Sequence, residues 1–164
     1  MEHTPHRGKV SRAGRRADLL VALGLALAVF VLDQGLKSVV EASLRAGESI
    51  PIIRGFLSIT HVRNDGAAFG ILGGSQLLLL VGSVVAVGVV LWMLFAEQRS
   101  RLATLACGLI LGGAAGNLLD RLTNGVVTDY VHFSFWYVFN AADAAITVGV
   151  ALLLLSTFRM QEKG

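Results

Sequence analysis

The sequence contains few of the residues that crosslink, bend or solvate most chains of its length. Its 164 residues include one cysteine and two prolines, and only 15% of them are charged. The one cysteine, Cys107, excludes an internal disulfide, and its apolar neighbours disfavour the thiolate that a cysteine nucleophile needs. The sequence also lacks H-E-x-x-H, G-x-S-x-G and S-x-x-K motifs. The usual zinc-peptidase and serine-hydrolase chemistries are therefore not indicated.

Apolar residues, by contrast, are abundant and are grouped in long runs. They make up 54% of the chain, against about 45–50% in typical soluble proteins. Four runs cover residues 19–40, 77–95, 102–121 and 141–158. Each approaches the ~20 residues that an α-helix needs to cross a bilayer. The sequence therefore predicts an all-α membrane protein with four transmembrane helices, folded as one domain over residues 1–164.

The placement of the cations predicts the topology. Before the first apolar run stand Arg7, Lys9, Arg12, Arg15 and Arg16. Such a cluster is typical of a cytoplasmic flank, and without a spaced aromatic platform it does not indicate nucleic-acid binding. Four spans then place both termini and nine of the 14 cations in the cytoplasm. A cleaved signal peptide is the alternative for the first run, but no small-residue cleavage site follows it.

Two segments between the spans favour β-structure. The outer segment of about residues 50–70 contains a β-prone stretch, 56–63, followed by the turn signal Asn64-Asp65-Gly66. The second segment, 128–139, is aromatic and also β-prone. We expect these two segments to form a small extracytoplasmic cradle at the membrane interface.

Acidic side chains in or beside the apolar runs are costly and need an explanation. These acids are Asp33, Asp65, Asp120, Asp129 and Asp143, and the predicted topology brings all of them near the outer boundary. Asn140 is a good helix cap, so Asp143 can be a capping-box residue, and Asp129 alone can be an ordinary loop acid. The connection between Asp129 and Asp143 is nevertheless long enough to fold back and bring them face to face.

Two facing carboxylates have a specific chemistry. They cannot both ionise cheaply, so one keeps a proton, as in aspartic peptidases. The ionised acid can then take a proton from water while the protonated acid hydrogen-bonds the scissile carbonyl. The helix start at Asn140 favours an ionised Asp143, which assigns the proton to Asp129. Neither a metal nor a cofactor is required, and His61 and His132 lack metal-ligand spacing.

Two polar patterns accompany these acids in the apolar runs. Gly113, Asn117 and Arg121 share one helical face, which either packs helices with a snorkelling arginine or holds a substrate carbonyl or lipid phosphate. Asp33 and Lys37 have the i, i+4 spacing of an ion pair. Lys37 can also snorkel outward, and a self-satisfied pair is an alternative to a catalytic role. Asp120 does not lie on the helical face shared by Gly113, Asn117 and Arg121. It is interpreted as a local partner or a helix-end residue.

Five blocks resemble the lipoprotein signal peptidase family, also called signal peptidase II. In family order they are Asp33-x-x-x-Lys37, Asn64-x-Gly-Ala-Ala-Phe, Gly-Gly-Ala-Ala-Gly-Asn117-Leu-Leu-Asp120-Arg121, Thr-Asp129-Tyr and Phe-Asn140-Ala-Ala-Asp143. The resemblance implies that Asp129 and Asp143 are the catalytic pair. It implies supporting or substrate-binding roles for Asp33, Lys37, Asn64, Gly113, Asn117, Arg121 and Asn140.

The resemblance also implies a substrate and a location. The family cleaves prolipoproteins on the N-terminal side of a diacylglyceryl-modified cysteine, without metal or cofactor. We therefore expect a monomer in the bacterial inner membrane that contacts lipids. The chain departs from the family in having Thr128-Asp129-Tyr130 where Val-Asp-Phe is usual, and the stretch 129–140 is short. From the residues alone, a small transporter and a non-catalytic scaffold remain open, and acids at the midplane would favour the transporter.

Overall fold

The structure, a computed structural model, describes residues 12–66, 76–95 and 100–161. Within these ranges it contains four helices and three strands. In chain order they are α1 (Arg12–Ser43), β1 (Ser49–Ile53), β2 (Leu57–Asn64), α2 (Gln76–Phe95), α3 (Arg101–Asn124), β3 (Val127–Phe133) and α4 (Ala141–Gln161). The predicted fold class, four apolar helices with a small sheet, is confirmed.

All four helices are long and apolar enough to span a membrane, and α3 lies at their centre. Of the most apolar stretch of α3, 67% is buried, against 17% or less for the other three helices. Helix α3 contacts α1, α2 and α4, while side chains such as Trp92 and Leu154 are exposed on the outer helices. Apolar side chains exposed all around a bundle belong in lipid rather than water. The chain is therefore a multi-pass membrane protein.

Glycines on α3 let its backbone approach the neighbouring helices closely. A Cβ added to Gly108 would lie 2.8 Å from the Ala22 carbonyl oxygen of α1. A Cβ added to Gly113 would lie 2.5 Å from the Ala142 carbonyl oxygen of α4. Only glycine fits contacts of this kind between membrane helices. The close packing brings polar residues of α3 within hydrogen-bonding distance of α1 and α4.

The three strands form an antiparallel sheet in the order β1-β2-β3. Strands β2 and β3 follow the predicted β-prone stretches, and β2 pairs Val62 with Asp129. The turn after β2 also forms as predicted, since Gly66 has φ +81° and its N–H donates to Asn64 Oδ1 at 2.8 Å. Strand β1 was not predicted as a separate element. The Ala67–Phe69 part of the second motif lies outside the described residues.

The sheet is attached to the C-terminal end of α1. His61 Nδ1 donates to the Leu44 carbonyl at 2.8 Å, and Thr128 Oγ1 donates to Glu41 Oε1 at 2.5 Å. Val40 and Leu44 also pack with Tyr130 in a buried apolar cluster. These contacts fix β3, and with it Asp129, relative to the helices.

Candidate active site

Asp143 lies in the first turn of α4 and takes part in a reciprocal cap. The Asp143 N–H donates to Asn140 Oδ1 at 2.9 Å, and the Asn140 N–H donates to Asp143 Oδ2 at 3.3 Å. The capping-box interpretation is therefore confirmed. The cap uses only one carboxylate oxygen of Asp143, and Oδ1 accepts a further hydrogen bond from Asn117 Nδ2 at 2.8 Å. Capping orients Asp143 at the helix start while leaving it in contact with α3.

Asp129 lies on β3 and is 1% exposed. Its Oδ1 accepts from Asn140 Nδ2 at 2.6 Å, and its Oδ2 accepts from Asn64 Nδ2 at 2.8 Å. Asn140 thus contacts both acids, Asp129 through its amide nitrogen and Asp143 through its backbone N–H and amide oxygen. The expected fold-back occurs because the chain after β3 returns to pair Phe139 with Val131.

The two acids line a single cavity of about 640 Å³. Its other walls come from the end of β2, from α3 and from the aromatic segment before α4. These lining residues are Val62, Arg63, Asn64, Asp65, Arg121, Trp136, Tyr137, Val138 and Phe139. The cavity therefore combines two carboxylates and a guanidinium with an apolar, aromatic wall, as binding sites for extended ligands commonly do.

The environment of Asp129 favours its protonated form. The pKa of Asp129 is raised from 3.8 to about 6, chiefly by burial and also by the charge of Asp143, although hydrogen bonds from Asn64 and Asn140 act in the opposite direction. Below about pH 6 the Asp129 carboxyl is mostly neutral and can donate a hydrogen bond. This direction agrees with the expected assignment of the proton to Asp129.

Lys37 lies in a buried polar cluster next to Asp129 and Asp143. It is 3% exposed, and its Nζ lies 2.7 Å from Asp33 Oδ2 and 2.6 Å from Asp120 Oδ2. The Asp33–Lys37 ion pair is therefore confirmed, whereas the expectation that Lys37 snorkels outward is wrong. Burial of Lys37 is tolerated because two carboxylates compensate its charge. Asp120 is a partner across helices and not the local partner that its sequence position indicated.

The Lys37 cluster is connected to Asp143 through Asn117. Lys37 Nζ and Asn140 Nδ2 both donate to Asn117 Oδ1, at 2.9 and 3.2 Å. Because the Asn117 oxygen faces these donors, its Nδ2 must face Asp143, to which it donates. Asp33 supports the same region from the other side, since its Oδ1 accepts from the Ala142 N–H at 2.9 Å.

Arg121 lines the cavity one helical turn beyond Asn117. Its Nη1 donates to Ser83 Oγ of α2 at 3.1 Å and to the Asn117 carbonyl at 3.3 Å. The structure thus brings all nine predicted site residues into one region, with Gly113 supplying a close helix contact instead of a polar group. Sequence reasoning missed Ser83 and also Gln34, whose Nε2 donates to Asp120 Oδ1 at 2.9 Å. A polar side chain within an apolar run was the available signal for Ser83.

The close contact at Gly113 leads to a prediction. In Gly113→Ala, the new Cβ would lie 2.5 Å from the Ala142 carbonyl oxygen, so α3 and α4 must separate and carry Asp143 away from Asn117. Overpacking of this kind typically costs about 1–3 kcal/mol. We expect a lower thermal unfolding midpoint and a roughly tenfold loss of activity. Gly24→Ala is the matched control, because a Cβ there has nothing within 4 Å. Equal behaviour of the two variants would contradict the prediction.

Comparison with known proteins places these residues in a wider context. A sequence profile described as "Signal peptidase (SPase) II" matches residues 25–159. The chain is 44% identical to the lipoprotein signal peptidase of Halothermothrix orenii, over 84% of this chain and 95% of that protein. It is 38% identical to the lipoprotein signal peptidase of Nitratidesulfovibrio vulgaris, over 85% and 90% of the two chains.

The fold is also similar to solved structures. A bacterial membrane enzyme determined by the in meso method at 2.3 Å resolution superposes with a TM-score of 0.79 and 28% identity, covering 87% of this chain and 90% of that one. A second such enzyme, determined at 1.9 Å, gives a TM-score of 0.77 and 29% identity, covering 84% and 92%.

Proposed function

Because the chain belongs to the signal peptidase II family, we propose that Asp129 and Asp143 are the catalytic pair of this aspartic endopeptidase. The family cleaves the signal peptides of prolipoproteins, and the enzyme described here has that activity. The observation that carries the residue assignment is that both carboxylates line one cavity and are joined by Asn140. Two carboxyl groups in such a site share a proton, so that one can activate water while the other protonates the scissile carbonyl.

The reaction follows from the two protonation states. Ionised Asp143 takes a proton from water as the water oxygen attacks the scissile carbonyl carbon, and Asp129 gives its proton to the carbonyl oxygen. The resulting gem-diol collapses when the leaving nitrogen takes the proton held by Asp143 and one diol hydroxyl returns a proton to Asp129. The carbon–nitrogen bond then breaks, and both acids regain their starting states.

The surrounding amides hold the two carboxyl groups in fixed positions. Asp143 Oδ1 is held by Asn117, and the two oxygens of Asp129 are held by Asn64 and Asn140. Side chains fixed in this way need little rearrangement during the reaction, so reorganisation costs little free energy. Arg121, in the same cavity, is placed to stabilise negative charge that develops on the carbonyl oxygen.

Within this activity, the substrate we propose is a diacylglyceryl-modified prolipoprotein that is cut on the N-terminal side of its lipidated cysteine. Apolar walls on the cavity and exposed apolar faces on the spans support entry of a helical signal segment with its lipid in the bilayer. We further propose a monomer in the inner membrane with both termini in the cytoplasm. The basic N-terminal cluster supports this orientation, and a single chain supplies both acids and their supporting residues.

A matched pair of precursor peptides tests the function. The purified protein in lipid bicelles is incubated with a precursor whose cysteine carries diacylglycerol and with the same peptide lacking the lipid. We expect release of the signal segment from the lipidated peptide alone, detected by mass spectrometry with the new N-terminus at the cysteine. Cleavage at another bond, or no cleavage of the lipidated peptide, would contradict the proposal.

The protonated state of Asp129 predicts the pH dependence of cleavage. Since Asp129 must carry a proton and its pKa is raised to about 6, kcat/KM should be high below pH 6 and fall above it. A single titration with this pKa lowers the protonated fraction about 25-fold between pH 5.5 and pH 7.5.

The hydrogen bond from Asn64 supplies an internal check on this profile. That bond lowers the pKa of Asp129, so Asn64→Ala should shift the falling limb of kcat/KM toward higher pH. The comparison is made over the same pH range in the same bicelles. A flat profile in the unmodified protein, or a shift to lower pH in the variant, would argue against Asp129 as the proton donor.

A further inference from the structure

Ser83 lies in the middle of an otherwise apolar helix. No other residue of the stretch from Leu77 to Phe95 has a hydroxyl group. Its Oγ donates to the Leu79 carbonyl of the preceding turn at 2.8 Å, which uses its single hydrogen. The remaining lone pairs can only accept, and Arg121 Nη1 donates to them at 3.1 Å. The direction of this hydrogen bond is therefore fixed by the helix itself.

This bond determines how the Arg121 guanidinium is oriented. The guanidinium is planar and rigid, so fixing Nη1 through Ser83 and the Asn117 carbonyl also fixes the direction of its other N–H donors. We propose that Ser83 is a positioning residue for catalysis, which holds Arg121 so that these donors serve the peptide beside Asp129 and Asp143. This inference rests on the proposed function.

A second cavity shows why Arg121 needs such a restraint. This cavity, of about 260 Å³, adjoins the first and shares Asn64, Asp65 and Arg121 with it. Its other walls are Leu77, Leu79, Leu80 and Gly125. Arg121 thus borders open space in both cavities, which leaves other orientations available to its long side chain once the Ser83 hydrogen bond is removed.

Three variants test the proposal with the lipidated precursor. Ser83→Ala should lower kcat about tenfold with a smaller change in KM, because the lost interaction acts on charge that develops during the reaction. Ser83→Thr keeps the hydroxyl and should stay within about twofold of the unmodified protein. The matched control is Ser38→Ala, since Ser38 Oγ donates to the Gln34 carbonyl at 2.8 Å in the same way but is exposed. The control should be fully active.

A cycle with Arg121→Lys separates positioning from helix packing. If Ser83 acts through the guanidinium, Ser83→Ala should have little further effect when Arg121 is already lysine. An undiminished kcat in Ser83→Ala, no rescue by threonine, or the same loss in both backgrounds would overturn the inference. Failure of the unmodified protein to cleave would instead contradict the proposed function, so the two failures are distinguishable.

Discussion

Replacing either acid of the pair by its amide should abolish cleavage while leaving a folded protein. In Asp143→Asn the base that takes a proton from water is lost, and in Asp129→Asn the proton donor to the carbonyl is lost. General acid–base groups typically contribute about 10²- to 10⁴-fold, so kcat should fall by at least the lower figure in each variant. The measurement is cleavage of the lipidated precursor under single-turnover conditions.

The pair should also behave as a unit. Because each acid is useless without the other, the double variant should be scarcely slower than either single variant. Glu48→Gln is the matched control, since it removes an exposed carboxylate on the sheet side of the protein and should retain full activity. Substantial cleavage by Asp129→Asn or Asp143→Asn, with an unfolding midpoint near that of the unmodified protein, would refute the assignment.

Lys37→Met should produce the largest loss of stability among the substitutions considered. It leaves Asp33 and Asp120 facing each other in a buried site without the cation that lies 2.7 and 2.6 Å from them. Removing one partner of a buried ion pair typically costs about 3–5 kcal/mol. Activity should fall as well, because Asn117 Oδ1 loses the donor from Lys37 and keeps only the longer hydrogen bond from Asn140, so its amide is held less firmly toward Asp143.

A second substitution separates these two effects. Combining Lys37→Met with Asp120→Asn removes one of the two stranded charges and should recover much of the lost unfolding midpoint. Activity should remain low, because the charged donor from Lys37 to Asn117 is still missing. The midpoint is measured by intrinsic fluorescence in detergent, and cleavage by the same peptide assay. A Lys37→Met protein with unchanged midpoint and unchanged activity would show that the cluster has neither role.

Features that depend on local chemistry could be predicted from the sequence. The four spans follow from apolar length, and the Asn140 cap follows from residue type and position, because both are determined within a few residues. The convergence of Asp129 and Asp143 required one additional idea, that the intervening segment folds back. The bridge between Val131 and Phe139 shows that it does.

Features that depend on how helices face one another could not be predicted. Periodicity gives the stripes on each helix but not their relative rotation or depth. Sequence reasoning therefore assigned Lys37 a partner within α1 or an outward direction, but not its contacts with Asp120 and Asn117 of α3. The same limitation concealed Ser83, whose partner lies 38 positions further along the chain. Strand β1 was missed because it is only five residues long and contains Pro51, which argues against a strand.

The spacing of Asp33 and Lys37 also has a consequence for how the protein is made. Helix α1 leaves the ribosome before α3, so at the time of insertion Asp120 and Asn117 have not yet been synthesised. An acid and a base one turn apart neutralise each other within α1, which lowers the cost of carrying either into lipid. When α3 packs against α1, its Asp120 and Asn117 contact a lysine that is already paired with Asp33.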